Sequence, residues 1–297
     1  MTQRSSKALA ILNGLVGDHL HSSRNPLAIP FGFYSNGQPV VLETAGIQHL
    51  IPGLDRRLVV FVHGIMTTES YWQPTNGDSF GKRLTHDFGV QCAYVRYNTG
   101  RPIAENGAAL AQALADLTAR HSIEELVLVG YSMGGLLVRH ALEIATTANL
   151  PWLTVVQKVF YLGTPHGGTH YERAGRTINL ILDVIPDPVT RLIGNISNLR
   201  SRGIKDLGDP ATIRAPSRIK ACLIAGDLGI RGPLGKFLGD GTVPVSSATR
   251  LDGLGDSNSD VTVKVLPGMS HTKLPKDKRV YEVMRDWLIS KGWRLQA

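Results

Sequence analysis

The chain has 297 residues, 42% hydrophobic and 19% charged, which is a globular balance and long enough to bury a large core as one large α/β domain or two small ones. Its net charge of +8 is not gathered into one stripe, and no nucleic-acid motif accompanies it, so no nucleic-acid partner is expected. No apolar run approaches the roughly 18 to 20 residues of a membrane span, and the two cysteines, Cys92 and Cys222, lie in apolar runs without a CxxC or His-rich context.

The first residues are polar and basic, and the short apolar run from Ala8 to Leu12 is interrupted by Asn13, Gly14 and Asp18. That is too short for a secretory leader, so a cytoplasmic location is expected. Residues 5–21 read as an amphipathic helix with Leu9, Leu12, Val16 and Leu20 on one face. Strands are expected over 26–34 and 38–43, joined by a Ser35-Asn36-Gly37 turn. Apolar runs at 58–62, 92–97, 126–129, 155–162, 219–225 and 261–266 read as further strands. Helical spacing is seen over 104–120 (Leu110, Ala113, Leu114, Leu117), 136–148 and 279–290 (Val280, Val283, Met284, Trp287, Leu288).

Continuous apolar strands alternating with helices predict an α/β fold, a mainly parallel central sheet flanked by helices, in a single domain over 1–297 with residues 1–25 as N-terminal helix and lead-in. In such sheets ligands sit beyond the carboxyl ends of the strands. The unusual residues fall there: His63-Gly64, Ser132, Gly163 to Gly168, Asp227, Asp240 and His271. Residues 169–217 break the alternation. Ile178, Ile181, Leu182 and Ile185 are spaced as one helical face, Pro186-Asp187-Pro188 interrupts, and Leu192, Ile193, Ile196 and Leu199 form a second face. The segment reads as a helical cap over the upper edge of the sheet rather than as ordinary sheet-covering helices, because it leaves directly from a loop of the site.

Gly130-Tyr131-Ser132-Met133-Gly134 lies between a buried-strand pattern and a helix pattern, the context of a nucleophile elbow. A serine hydroxyl is a weak nucleophile and needs a base, which in turn needs an orienting acid. The elbow topology predicts the chain order Ser, acid, His, and the chain offers Ser132, Asp240 and His271. His271 is the only histidine after His170, whereas Asp227 competes with Asp240 for the acid, Asp240 being favoured because its flanking glycines allow an inward-turning backbone. Backbone N–H groups of Met133 and Ile65 are the expected oxyanion donors, with Met66 taking the place of Ile65 if the loop shifts by one. His63 and His166 read as residues that shape their loops. No metal-binding pattern is present, so neither a metal nor a cofactor is expected.

These motifs resemble those of α/β-hydrolase serine esterases and lipases over roughly residues 55–290. The run Gly163-Thr164-Pro165-His166-Gly167-Gly168 is similar to that of lipases, lecithin–cholesterol-type acyltransferases and inositol deacylases of glycolipid anchors. The Arg96-Tyr97-Asn98-Thr99-Gly100 segment resembles bacterial members of that group. The elbow carries Tyr131 where many relatives have His, and the Gly-Gly of an HGGG loop is absent. The resemblance implies carboxylic-ester hydrolysis. The reading of the chain is then an acyl-enzyme mechanism on an ester or lipid, with the apolar Ile178, Ile181, Leu182 and Ile185 of the cap expected to line its acyl pocket. An acyltransferase, a thioesterase or peptidase, and a binding protein on a hydrolase scaffold are the alternatives. The basic C-terminal cluster (Lys273, Lys276, Lys278, Arg279, Arg285, Lys291, Arg294) reads first as a solvated helix face and second as a weak contact with an anionic membrane surface.

Overall fold

The computed structural model describes residues 3–35, 38–40, 56–74, 76–167, 201–207, 219–230, 239–250 and 261–296. Its centre is an eight-stranded sheet in the order β2-β1-β4-β3-β5-β6-β7-β8. The strands are β1 Gly32–Ser35, β2 Gln38–Val40, β3 Arg57–Val62, β4 Gln91–Arg96, β5 Glu125–Tyr131, β6 Val156–Leu162, β7 Lys220–Asp227 and β8 Val261–Pro267. β1 pairs antiparallel with β2 and β4, and every other pairing is parallel.

The inner strands are apolar on both faces because both faces are covered. Leu58, Val60 and Val62 of β3, with Leu126 and Leu128 of β5, pack under α1 (Gln3–Ser22), α3 (Ile103–Arg120) and α4 (Met133–Thr147). Val59, Phe61, Val127, Val129 and Tyr131 point the other way, against α2 (Phe80–Phe88) and α7 (Lys278–Ser290). Two short helices complete the described set, α5 (Arg202–Asp206) and α6 (Val245–Ala248). None of the helices among the described residues is long and apolar enough to cross a membrane.

Three features depart from the sequence expectations. Helix α2 has no counterpart in them. Its signals are short: Ser79 accepts a hydrogen bond from Lys82 N as N-cap, and Gly89 ends the helix at φ 65°. β1 begins at Gly32 instead of residue 26, because the preceding stretch contains Pro26 and Pro30 and is held by a side chain: Asn13 donates to Leu27 O and accepts from Ile29 N. On α1 the buried face is Ala10, Ile11, Asn13, Gly14, Leu15, Gly17 and Leu20, whereas Leu9, Leu12 and Val16 are only half-buried. The helix departs from helical geometry at Val16 (φ −136°), and glycines make part of its close-packed side. Of the expected cap over 169–217, the described part is 201–207. Ile178, Ile181, Leu182 and Ile185 lie outside the described residues.

Candidate active site

β5 runs through the middle of the sheet and ends at Ser132, whose backbone has φ 53° and ψ −125°. A non-glycine residue there carries strain of order 1–3 kcal/mol and persists only where its surroundings enforce it. Enforcement comes from both sides. Ser132 N donates to Leu162 O at 2.9 Å, tying the turn to β6. On the other side α4 starts so close to β3 that a Cβ on Gly134 would sit 2.4 Å from the carbonyl oxygens of Val62 and His63. The turn lifts the Ser132 hydroxyl to the carboxyl edge of the sheet while leaving the residue only 6% exposed.

Two loops from the far side of the sheet meet that hydroxyl. His271 follows β8 and opens a 3-10 turn, and its Nε2 lies 2.9 Å from Ser132 Oγ. Its Nδ1 lies 2.6 Å from Asp240 Oδ2. A carboxylate only accepts, so Nδ1 carries the proton and Nε2 presents a lone pair to the serine O–H. Asp240 is held in turn by its other oxygen, which accepts from Thr242 N at 3.0 Å and Val243 N at 2.7 Å. Glycines on either side, Gly239 at φ 52° and Gly241 at φ 95°, allow the turn that points this carboxylate inward. The backbones lock as well, because His271 N donates to Asp240 O at 2.9 Å. Asp227, the competing acid, is placed elsewhere: its Oδ1 accepts from Gly229 N.

The loop after β3 supplies the remaining wall. Gly64 lies against the serine, where a Cβ would be 3.1 Å from Ser132 Cβ. His63 is a structural strut. Its Nδ1 donates to Gly64 O, its Nε2 accepts from Tyr97 N, and its ring stacks on Tyr97 at 4.3 Å. Burial drives its pKa down to about 3, against a smaller upward pull from the Gly64 carbonyl, so the imidazole is neutral. Met66 N donates to Thr99 Oγ1. That removes Met66 as a free donor, while Ile65 N–H has no acceptor among the described residues. Met133 N heads α4, where the first N–H groups have no intrahelical acceptor and the helix dipole favours negative charge. The arrangement therefore joins a hydroxyl hydrogen-bonded to an imidazole with two N–H groups that have no acceptor among the described residues, a set that meets the requirements for attack on a carbonyl and for holding the resulting oxyanion.

Tyr97 and Thr99 fix this loop but had no assigned role in the sequence; their signal was the Arg96-Tyr97-Asn98-Thr99-Gly100 segment just past the end of β4, whose resemblance named no function for either side chain. Tyr131 likewise donates its hydroxyl to His271 O and lies alongside that ring. His166 sits against Arg139 Nη1, and burial first, then that cation, hold its pKa well below the usual range. Both cysteines are free thiols. No cluster of three metal-ligating side chains occurs among the described residues. Much of the C-terminal basic cluster is engaged locally: Lys278 with Glu282, Arg279 with Asp277, Arg285 with Asp286, and Lys276 over the Tyr71 ring.

A family described as alpha/beta hydrolase of unknown function (DUF915) matches residues 94–291. None of the curated proteins matches the chain in sequence. Among solved structures, the mature Bacillus licheniformis lipase BlEst2 is 22% identical, with 87% of this chain and 98% of that one covered at a TM-score of 0.54. The esterase RhEst1 from Rhodococcus sp. ECU1013 is 17% identical, with 89% and 95% covered at 0.52. The product of the lin2722 gene of Listeria innocua is 16% identical, with 79% and 94% covered at 0.52. At such identities the likeness is one of fold.

Proposed function

The chain belongs to the α/β-hydrolase family of unknown function DUF915, and on that premise we propose that it cleaves a carboxylic ester through an acyl-enzyme on Ser132. The observation that carries this reading is the continuous hydrogen-bonded chain from Ser132 Oγ through His271 to Asp240. In the first half-reaction His271 Nε2 takes the hydroxyl proton as Oγ bonds to the ester carbon. The carbonyl oxygen becomes an oxyanion between Ile65 N–H and Met133 N–H, and Asp240 stabilises the imidazolium. Collapse of the tetrahedral intermediate breaks the bond to the alkoxide, which leaves as the alcohol with the proton from His271. Water then repeats the sequence on the acyl-enzyme, with His271 again as base, and releases the acid and free Ser132. No cofactor enters any step.

The substrate class is an ester with a medium or long acyl chain. This rests on the apolar Ile178, Ile181, Leu182 and Ile185 of the segment between β6 and β7. Membership of the hydrolase family and the esterase and lipase names of the structural relatives support the reaction type.

The test is hydrolysis of p-nitrophenyl esters of two, four, eight and twelve carbons by wild type and Ser132→Ala. The variant is expected to lose on the order of 10⁴ to 10⁶ in kcat, and wild-type turnover is expected to peak at eight or twelve carbons. A steady fall beyond two carbons would remove the long-chain substrate class. Turnover that survives in Ser132→Ala, or none of these esters cleaved by wild type, would remove the ester-hydrolase reading.

A further inference from the structure

Helix α1 lies outside the family match at 94–291, and nothing in the reaction above uses it. Yet it rests directly on the oxyanion loop. Met66 follows Ile65 and holds a left-handed backbone, φ 55°, that a methionine does not adopt without constraint. It is gripped at two points. Its side chain meets α1 at Gly14, where a Cβ would come within 2.3 Å of Met66 Cγ. Its amide is taken by Thr99 Oγ1, in a loop that α1 also fixes. Asn98 Nδ2 donates to Gly17 O at 2.8 Å. Gly100 is packed so tightly that a Cβ would lie 2.1 Å from Asn13 O. From above, Ser201 Oγ donates to Gly14 O at 2.6 Å and Arg202 N to Asp18 Oδ2 at 3.0 Å.

We propose that α1 is the positioning element of the oxyanion loop, its Gly14 clamping Met66 and its Gly17 seating Asn98, so that Met66 keeps the left-handed conformation in which Ile65 N–H has no acceptor among the described residues. The assignment rests on the hydrolase reading of Ser132 and Ile65 given above. Two small residues are needed because the helix backbone itself, not a side chain, is the clamp. Without it Met66 relaxes toward negative φ, and the loop, with its oxyanion donor, drifts from the serine.

The experiment compares Gly14→Ala, Met66→Ala and Met66→Gly by p-nitrophenyl butyrate kinetics, thermal melting and amide hydrogen exchange. His19→Ala, on the exposed side of α1, is the control. Loss of an oxyanion donor costs roughly 10²–10³ in kcat, so a displaced donor in Gly14→Ala is expected to cost about 10- to 100-fold. KM should stay within about threefold, since the donor acts on the transition state. Protection of the Met66 amide should fall while amides of β3 and β5 keep theirs. Glycine is at ease at positive φ, so Met66→Ala should lose about tenfold more kcat than Met66→Gly, an ordering that simple loss of packing would not produce.

The proposal is overturned if folded Gly14→Ala keeps wild-type kcat, or if Met66→Gly is impaired as much as Met66→Ala. Should Gly14→Ala not fold, the two Met66 variants decide alone. Should wild type show no Ser132-dependent turnover, the hydrolase reading fails separately. Exchange at Met66 then still tests the clamp, and unchanged protection in Gly14→Ala overturns it.

Discussion

Asp240 accepts from His271 with one oxygen and from the backbone of Thr242 and Val243 with the other, so an amide in its place alters more than charge. Asp240→Asn would offer a donor to the Nδ1–H or to the backbone N–H pair and favour the wrong tautomer of His271. We expect kcat to fall by about 10⁴ with the fold intact, while Asp227→Asn, whose carboxylate serves Gly229 N, changes kcat by less than about threefold; steady-state kinetics of both variants on one ester check this. Ser132 and His271 were legible because one strand–turn–helix pattern and one late histidine left no rivals. The preference for Asp240 over Asp227 rested on its flanking glycines alone, and the backbone gives the reason: Gly239 and Gly241 turn the Asp240 carboxylate inward, whereas Asp227 is the last residue of β7. His63 carries a pH consequence. Its folded pKa of about 3 lies below its unfolded value near 6.5, so the unfolded chain binds the extra proton between them. The stability from keeping His63 neutral is complete above about pH 6.5 and is lost as pH falls toward 3, with a slope of up to about 1.4 kcal/mol per pH unit. Urea unfolding of wild type and His63→Asn across that window should show a shallower slope in the variant; equal slopes would contradict the assignment.

Long elements that announce themselves by apolar side chains were read correctly, whereas a short helix and a helix face built on small residues were not. α3 and α7 present long apolar stripes to the sheet and were found. α1 was found as a helix, but its contact side was misassigned because Gly14 and Gly17 have no side chain for a hydrophobic pattern to register. α2 has only nine residues; Phe80, Leu84 and Phe88 recur on its buried side, and a polar stretch before Ser79 hides its start. Caps are where single residues decide an element. Asp277 begins α7 by accepting from Arg279 N at 3.0 Å. Asp277→Ala should cost about 1 kcal/mol of stability, read as a lowered denaturation midpoint with kcat unchanged, since α7 packs on the face of the sheet and makes no hydrogen bond to Ser132, Asp240 or His271.

At the scale of the whole molecule the parallel sheet was legible because covered faces require continuous apolar strands, and the site's location followed from the rule that ligands gather at carboxyl ends. What lay beyond reach was how distant segments meet: α1 against Met66, or the Glu69 carboxylate buried under Arg96 of β4. The order of strands has a further bearing on how the molecule fails. Ser132 leaves β5, embedded between β3 and β6, whereas His271 leaves β8, the last strand of the sheet, which is hydrogen-bonded to β7 alone among the described strands and has Val263 and Val265 each 43% exposed. Proteins open first at their least-held units. The nucleophile is thus anchored in a central strand and its base beyond an edge strand, so heat should detach the two before the sheet melts. Ester turnover should vanish at a lower temperature than far-UV ellipticity, and return on cooling from between the two midpoints. Coincident midpoints would mean that β8 holds as firmly as the centre.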